Sequence, residues 1–345
     1  MKVNFRNEKV RIVAALAFSF LLTISIREIR SGSGSSPDFP CGKSMTREVS
    51  IEIKAGETGS SIATSLFSKG VVKSSQSFFR IAVSDSRSEQ IAPGTHQIQR
   101  NICAQDALNQ LLDSKRIVGL VNIVEGAWIS EILPQLYTAG FAPADVASSL
   151  RSIKKPNGFT NTEGLLFPAQ YSFAKGTSAE AAIASMVENA NSAMQKAGFF
   201  SSGLKFSPQQ LLIIASLLQA EGNTGDFGKI SQVIRNRLKI GMPLQFDSTV
   251  HYIKKSRGSV FLSTQSTLIS SPFNTYRRYG LPPGPINNPG LAAMRAATNP
   301  TPGNWLYFIT VAPFDTRFTA DIDQFNEWKI EYKKNLRAGK FRSSR

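Results

Sequence analysis

Glu221 closes the apolar stretch SPQQLLIIASLLQAEGN, residues 207–223, and is the side chain of this sequence best placed for acid–base chemistry. Leu211, Ile214 and Leu218 precede it at helical spacing, so its carboxyl shares the stripe that faces a core or a cleft. Burial disfavours a carboxylate, and so does the negative end of a helix that Gly222 and Asn223 would stop. Both push the pKa up, the direction a general acid requires. The same pattern also fits an acid in a frayed last turn that points to solvent. Farther along, Gln245, Asp247 and Thr249 alternate in MPLQFDSTVHY, residues 242–252. A strand there would present all three on one face, an array suited to the hydroxyls of a sugar and equally to water.

Other chemistries are poorly supplied. His96 and His251 stand far apart, with no HExxH or CxxC spacing, so neither zinc nor another metal is expected. There is no G-x-S-x-G elbow and no nucleotide-binding glycine fingerprint, so no cofactor is called for. Cys41 and Cys103 pair in an oxidising compartment and stay free in a reducing one. The 40 Lys and Arg exceed the 24 acids, for a net charge of +16 that implies polyanionic surroundings. Nucleic acid, acidic lipid headgroups and anionic wall polymers all qualify. Much of the excess sits at the two ends, and the basic tail at residues 337–345 reads as a solvated extension with no specific nucleic-acid partner.

The elements that must carry these groups follow from local pattern. Ser207, Pro208 and Gln210 make a capping-box start for the helix ending at Glu221, and Ile230, Val233, Ile234 and Leu238 form the face of the next. Residues 12–26, IVAALAFSFLLTISI, are an uncharged apolar run behind a basic cluster, read as an uncleaved single-pass anchor within residues 1–30, with a cleaved signal peptide as the competing reading though no clear A-x-A site follows. The flanking charges keep the amino terminus cytoplasmic and place the rest outside. Residues 31–48 are a linker rich in Gly and Ser. Residues 49–100 read as strand, helix, helix, strand, a LysM-like βααβ pattern that serves either to bind N-acetylglucosamine chains or as a spacer. Residues 101–336 form a larger domain of mixed elements without a strand–helix repeat. The fold class is therefore α+β.

The phrases EGLLFPAQYSF, IIASLLQAEG, VIRNRLKIGMPLQFDSTVHY, SPFNTYRRYGLPPGPINNPGLAAMRAATNP and LYFIT occur in this order. Together they resemble the YceG/MltG-like family of endolytic murein transglycosylases. The resemblance implies a membrane-anchored enzyme of the cell (inner) membrane that cuts the MurNAc-β-1,4-GlcNAc bond of nascent peptidoglycan and leaves a 1,6-anhydro end. Its partners would be glycan strands and peptidoglycan synthases. Glu221 would be the acid and then the base, with Gln245, Asp247, Thr249, Asn274 and Tyr276 holding the glycan. The family's paired glutamates appear here as Gln219 and Glu221, so one charge is missing. Arg317 and Phe325 stand where the family commonly has histidines. A non-catalytic wall-binding scaffold and a membrane-tethered nucleic-acid binder are the competing readings.

Overall fold

The computed structural model describes residues 36–42, 47–257 and 263–341. The apolar run at 12–26 lies outside them, and among the described residues no helix is long and apolar enough to cross a membrane. The described residues form two compact units, divided between Ile117 and Val118.

In the first unit, β1 (Glu48–Ile53) pairs antiparallel with β2 (Gly94–Gln99), and α1 (Gly59–Ser68) and α2 (Ser75–Ser84) lie between them in sequence. Period-2 alternation turns Ile51 and Ile53 inward and leaves Ser50 and Glu52 exposed. Thr58 and Ser74 cap the two helices through their hydroxyls. The βααβ order of the sequence reading is present, but the unit does not stop near residue 100. Helix α3 (Ala104–Leu112) buries Ala107, Leu108 and Leu111 in the same core as Ile62, Leu66 and Phe78, so its apolar face belongs to this unit. Cys41 and Cys103 form a disulfide, which closes the alternative left open by spacing. His96 is buried, donates from Nε2 to Ala92 O at 2.8 Å, and has its pKa lowered chiefly by burial.

The second unit begins with the short antiparallel pair β3 (Leu120–Asn122) and β4 (Gln170–Ser172), with α4 (Ile129–Thr138) and α5 (Pro143–Ser152) between them in sequence. There follow α6 (Ala179–Lys196), α7 (Pro208–Glu221), α8 (Phe227–Lys239), α9 (Asp247–Lys254), the single turn α10 (Thr264–Thr267) and α11 (Leu291–Thr298). The hairpin β5 (Tyr307–Ala312) and β6 (Asp315–Thr319) and the helix α12 (Ile322–Arg337) complete it. Helix α7 is the axis. Every residue from Leu211 to Leu218 is buried, so the single stripe read from the sequence is in fact an apolar surface all the way round. Helices α8, α9 and α11 pack against it.

The strand expected at residues 242–252 is not formed. Asp247 opens α9 instead, where an acid in the first turn complements the helix dipole. Ahead of it Gln245 takes a left-handed φ of 53°, and the Gln245 and Phe246 N–H groups donate to Thr275 O and Thr275 Oγ1 rather than to a strand. Gln245, Asp247 and Thr249 therefore do not share a sheet face. Arg317 pairs with Asp315 and Glu331, and Phe325 stacks on Tyr307 with ring centroids 5.1 Å apart, so both positions serve packing in the carboxy-terminal layer.

The disulfide spans 62 residues of sequence. Replacing both cysteines with serine should lower the stability of the first unit by about 4 kcal/mol through loop entropy. Guanidinium denaturation under oxidising conditions measures this, and an unchanged midpoint would show that packing alone holds the loop.

Candidate active site

Helix α7 delivers Glu221 because its start and its end are both specified. Ser207 Oγ accepts from Gln210 N, and Gln210 Oε1 accepts from Ser207 N at 2.9 Å, a reciprocal cap. At the far end Gly222 stops the helix in an extended conformation, and any Cβ there would overlap the Ile230 side chain of α8. The glycine lets α8 fold back close to the carboxyl-bearing turn.

Glu221 is half-buried, and its Oε1 accepts from the Ser248 N–H at 3.3 Å. Ser248 lies in the first turn of α9, so the negative end of one helix meets the positive end of another at this carboxyl. Its pKa is raised to about 7, first by burial, with the negative charge of Asp247 adding to the rise. The Ser248 hydrogen bonds and the Arg237 charge act the other way. Arg237 is buried and fixed by donating from Nε to Leu306 O at 2.7 Å and from Nη1 to Leu244 O at 2.5 Å. Asp247 accepts a short hydrogen bond from Tyr276 Oη. Burial raises the Tyr276 pKa, and Asp247 reinforces this, so the hydroxyl stays a donor.

Of the five expected sugar-binding residues, Asp247 and Tyr276 are half-buried and lie close enough to Glu221 to act on it electrostatically, and Gln245 is exposed; none of the three is among the residues lining the cleft at the end of α7. Thr249 and Asn274 are fully buried: Thr249 Oγ1 donates to Phe246 O at 2.7 Å, and Asn274 Nδ2 donates to Thr267 O and Ile269 O at 3.0 and 2.7 Å. They shape the loops that carry Gln245 and Tyr276 and offer nothing to a ligand.

A cleft of about 330 Å³ lies at the end of α7 and is lined by Glu125, Trp128, Gln219, Ala220, Ser248 and Asn287 among others, so that Glu221's sequence neighbour and its hydrogen-bond donor both border it. Its wall is held by Asn288, which is buried and joins three segments. Asn288 Oδ1 accepts from Gly164 N and Leu166 N at 3.0 and 2.8 Å, and Nδ2 donates to Ala127 O and Glu163 Oε1. Glu163 also accepts from Ile129 N at the start of α4 and from Tyr252 Oη on α9. Burial raises its pKa to about 7 despite those hydrogen bonds. Glu163 opens the EGLLFPAQYSF segment. Nothing local distinguishes it, because its partners come from residues 129, 252 and 288. Gln219 Oε1 accepts from Gly290 N at 3.0 Å, and a Cβ on Gly290 would collide with the Glu125 carboxylate. Among the described residues the one cluster with metal-like spacing is Cys41, Cys103 and Asp106, whose two sulfurs are bonded to each other.

A model described as "YceG-like family" matches residues 51–331. The endolytic murein transglycosylase of Bacillus subtilis is 31% identical, with the match covering 85% of this chain and 87% of that protein. The protein of the same name from Streptococcus pneumoniae strain R6 is 26% identical over 78% of this chain and 55% of its own length. A crystal structure of a yceG-like protein from Listeria monocytogenes superposes with a TM-score of 0.54 at 25% identity, covering 81% of this chain and 98% of that one.

Two outcomes are expected from this geometry. A carboxyl whose folded pKa exceeds its unfolded one costs stability as pH rises from about 4.5 to about 7, because the folded state binds the extra proton there. Glu221→Gln should therefore be more stable than wild type at pH 8 by on the order of 1–3 kcal/mol, with the gain disappearing towards pH 4 in denaturant titrations. Asn288→Ala should cost about 2–4 kcal/mol at any pH, since it strands the buried N–H groups of Gly164 and Leu166. A pH-independent Glu221→Gln effect, or a neutral Asn288→Ala, would contradict the picture.

Proposed function

The chain belongs to the YceG-like family, and on that premise we propose that it is a peptidoglycan lytic transglycosylase with Glu221 as its acid. The observation that carries the reading is the Glu221 carboxyl at the end of α7, with a pKa of about 7 and held by one N–H of a facing helix. A hydrolase needs two carboxylates, one to protonate the leaving group and one to act as nucleophile or to activate water. A lyase in which the sugar's own 6-hydroxyl attacks needs only one group that gives a proton and takes one back.

Protonated Glu221 donates to the oxygen of the MurNAc-β-1,4-GlcNAc bond as the C1–O bond breaks. The MurNAc O6 then bonds to C1, its proton passes to the Glu221 carboxylate, and a 1,6-anhydro end results. Ser248 N–H steadies the intermediate carboxylate. Asp247, oriented by Tyr276, opposes loss of the proton before reaction and stabilises positive charge at C1. Gln245 and Tyr276 contribute to holding the glycan. The apolar run at 12–26 acts as the anchor and sets the enzyme on the outer side of the cytoplasmic membrane, beside nascent strands and their synthases. There an anhydro end terminates elongation.

The test is product analysis. Purified wild type should release anhydro-ended fragments from glycan strands, identified by mass, with a rate that falls as pH rises through about 7. Glu221→Gln should lower that rate by about 10³-fold while leaving strand binding intact. Binding without product from wild type would replace the enzyme by a wall-binding scaffold.

A further inference from the structure

A second cavity, of about 450 Å³, opens near the amino-terminal end of α7, where Gln210 lies eleven residues before Glu221. At 1.5 Å per residue the two positions are about 16 Å apart along the helix. This cavity is lined by Lys205, Arg235 and Lys239, with Phe206, Leu238 and Leu281 beside them, and no carboxylate takes part in the lining. None of the three cations forms an ion pair among the described residues.

Arg235 is the informative member. Its guanidinium is half-buried, lies 4.8 Å over the Phe206 ring, and donates one hydrogen bond, from Nη2 to Ala297 O at 2.5 Å. Its Nε–H is buried with no partner, and burial lowers its pKa. An arginine stays charged in proteins, so its desolvated charge must be offset by an anion or remain a cost to the fold. Elsewhere on this unit Arg317 has Asp315 and Glu331, Arg257 has Glu131, and the buried Arg237 has its Nε and Nη1 taken by the Leu306 and Leu244 carbonyls. Arg235 has no such acid among the described residues, and two lysines converge on the same cavity. The positive end of α7 adds to the field.

We propose that this cavity is a binding site for the phosphate headgroup of an anionic phospholipid. Planar guanidinium and flanking ammonium groups match phosphate oxygens. Phe206, Leu238 and Leu281 match the apolar part of a lipid, for which a hydroxyl-rich phosphodiester polymer has no counterpart. The excess charge of +16 gains a specific target in this way. The inference does not depend on the chemistry assigned to Glu221.

The full chain in a neutral maltoside detergent is titrated with short-chain phosphatidylglycerol, and binding is read by calorimetry. Short-chain phosphatidylcholine, inorganic phosphate and soluble poly(glycerol phosphate) are titrated in parallel. Phosphatidylglycerol should bind and phosphatidylcholine should not. The double variant Lys205→Gln/Lys239→Gln, which alters exposed side chains only, should weaken binding by about fivefold per lysine with glycan cleavage unchanged. Arg235→Lys, which keeps the charge and loses the planar fork, should also weaken it. Equal binding of the two lipids, an undiminished double variant, or no binding at all overturns the site. Inorganic phosphate or the polymer binding as tightly as phosphatidylglycerol overturns the lipid assignment.

Discussion

The second unit is organised around the meeting of two helix ends at one carboxyl. Helix α7 arrives with its negative end and Glu221, and α9 departs with its positive end and the Ser248 N–H. The shift of Glu221 from 4.5 to about 7 corresponds to on the order of 3 kcal/mol. A helix end contributes about 0.3–1 kcal/mol, and here two of opposite sign largely cancel. Burial therefore decides the shift, with Asp247 adding to it and Ser248 and Arg237 moderating it. The result is an acid that can hold a proton near neutral pH and whose charged form still has a donor waiting.

That arrangement depends on polar groups from distant parts of the chain being satisfied in a confined space. Asn288 uses both ends of its amide to bind segments around residues 127 and 164, and Glu163 ties the start of α4 to Tyr252 of α9. Since α9 also carries Ser248 and Asp247, the network that closes the cleft wall also sets the position of Glu221's partners. Gln219 fits the same logic. Its carbonyl oxygen accepts from Gly290 N while the Glu125 carboxylate presses against Gly290. An amide makes that hydrogen bond without adding a further negative charge close to Glu125.

Much of the local structure was legible in the sequence. The capping box at Ser207, the βααβ order of the first unit and the buried face of α8 are all local signals, carried by residues within a few positions of one another. The misreadings share one cause. Residues 242–252 alternate as a strand would, yet their backbone groups are taken by Thr275, nearly thirty residues away, and Asp247 starts a helix instead. Thr249 and Asn274 look available for a ligand in the sequence and are buried by contacts that local pattern does not encode. Helix α3 joined the first unit because its apolar face found that core.

The sequence by itself determined that Glu221 ends a long apolar helix, because helical spacing, a cap and a glycine stop are properties of contiguous residues. It also determined the charge excess and the order of motifs. Only the tertiary structure decided which donor meets the carboxyl, which of the polar residues near it remain accessible, and that Arg235 is left without an anion. Desolvation and hydrogen-bond satisfaction depend on everything packed around a group, and those neighbours are brought together from far along the chain.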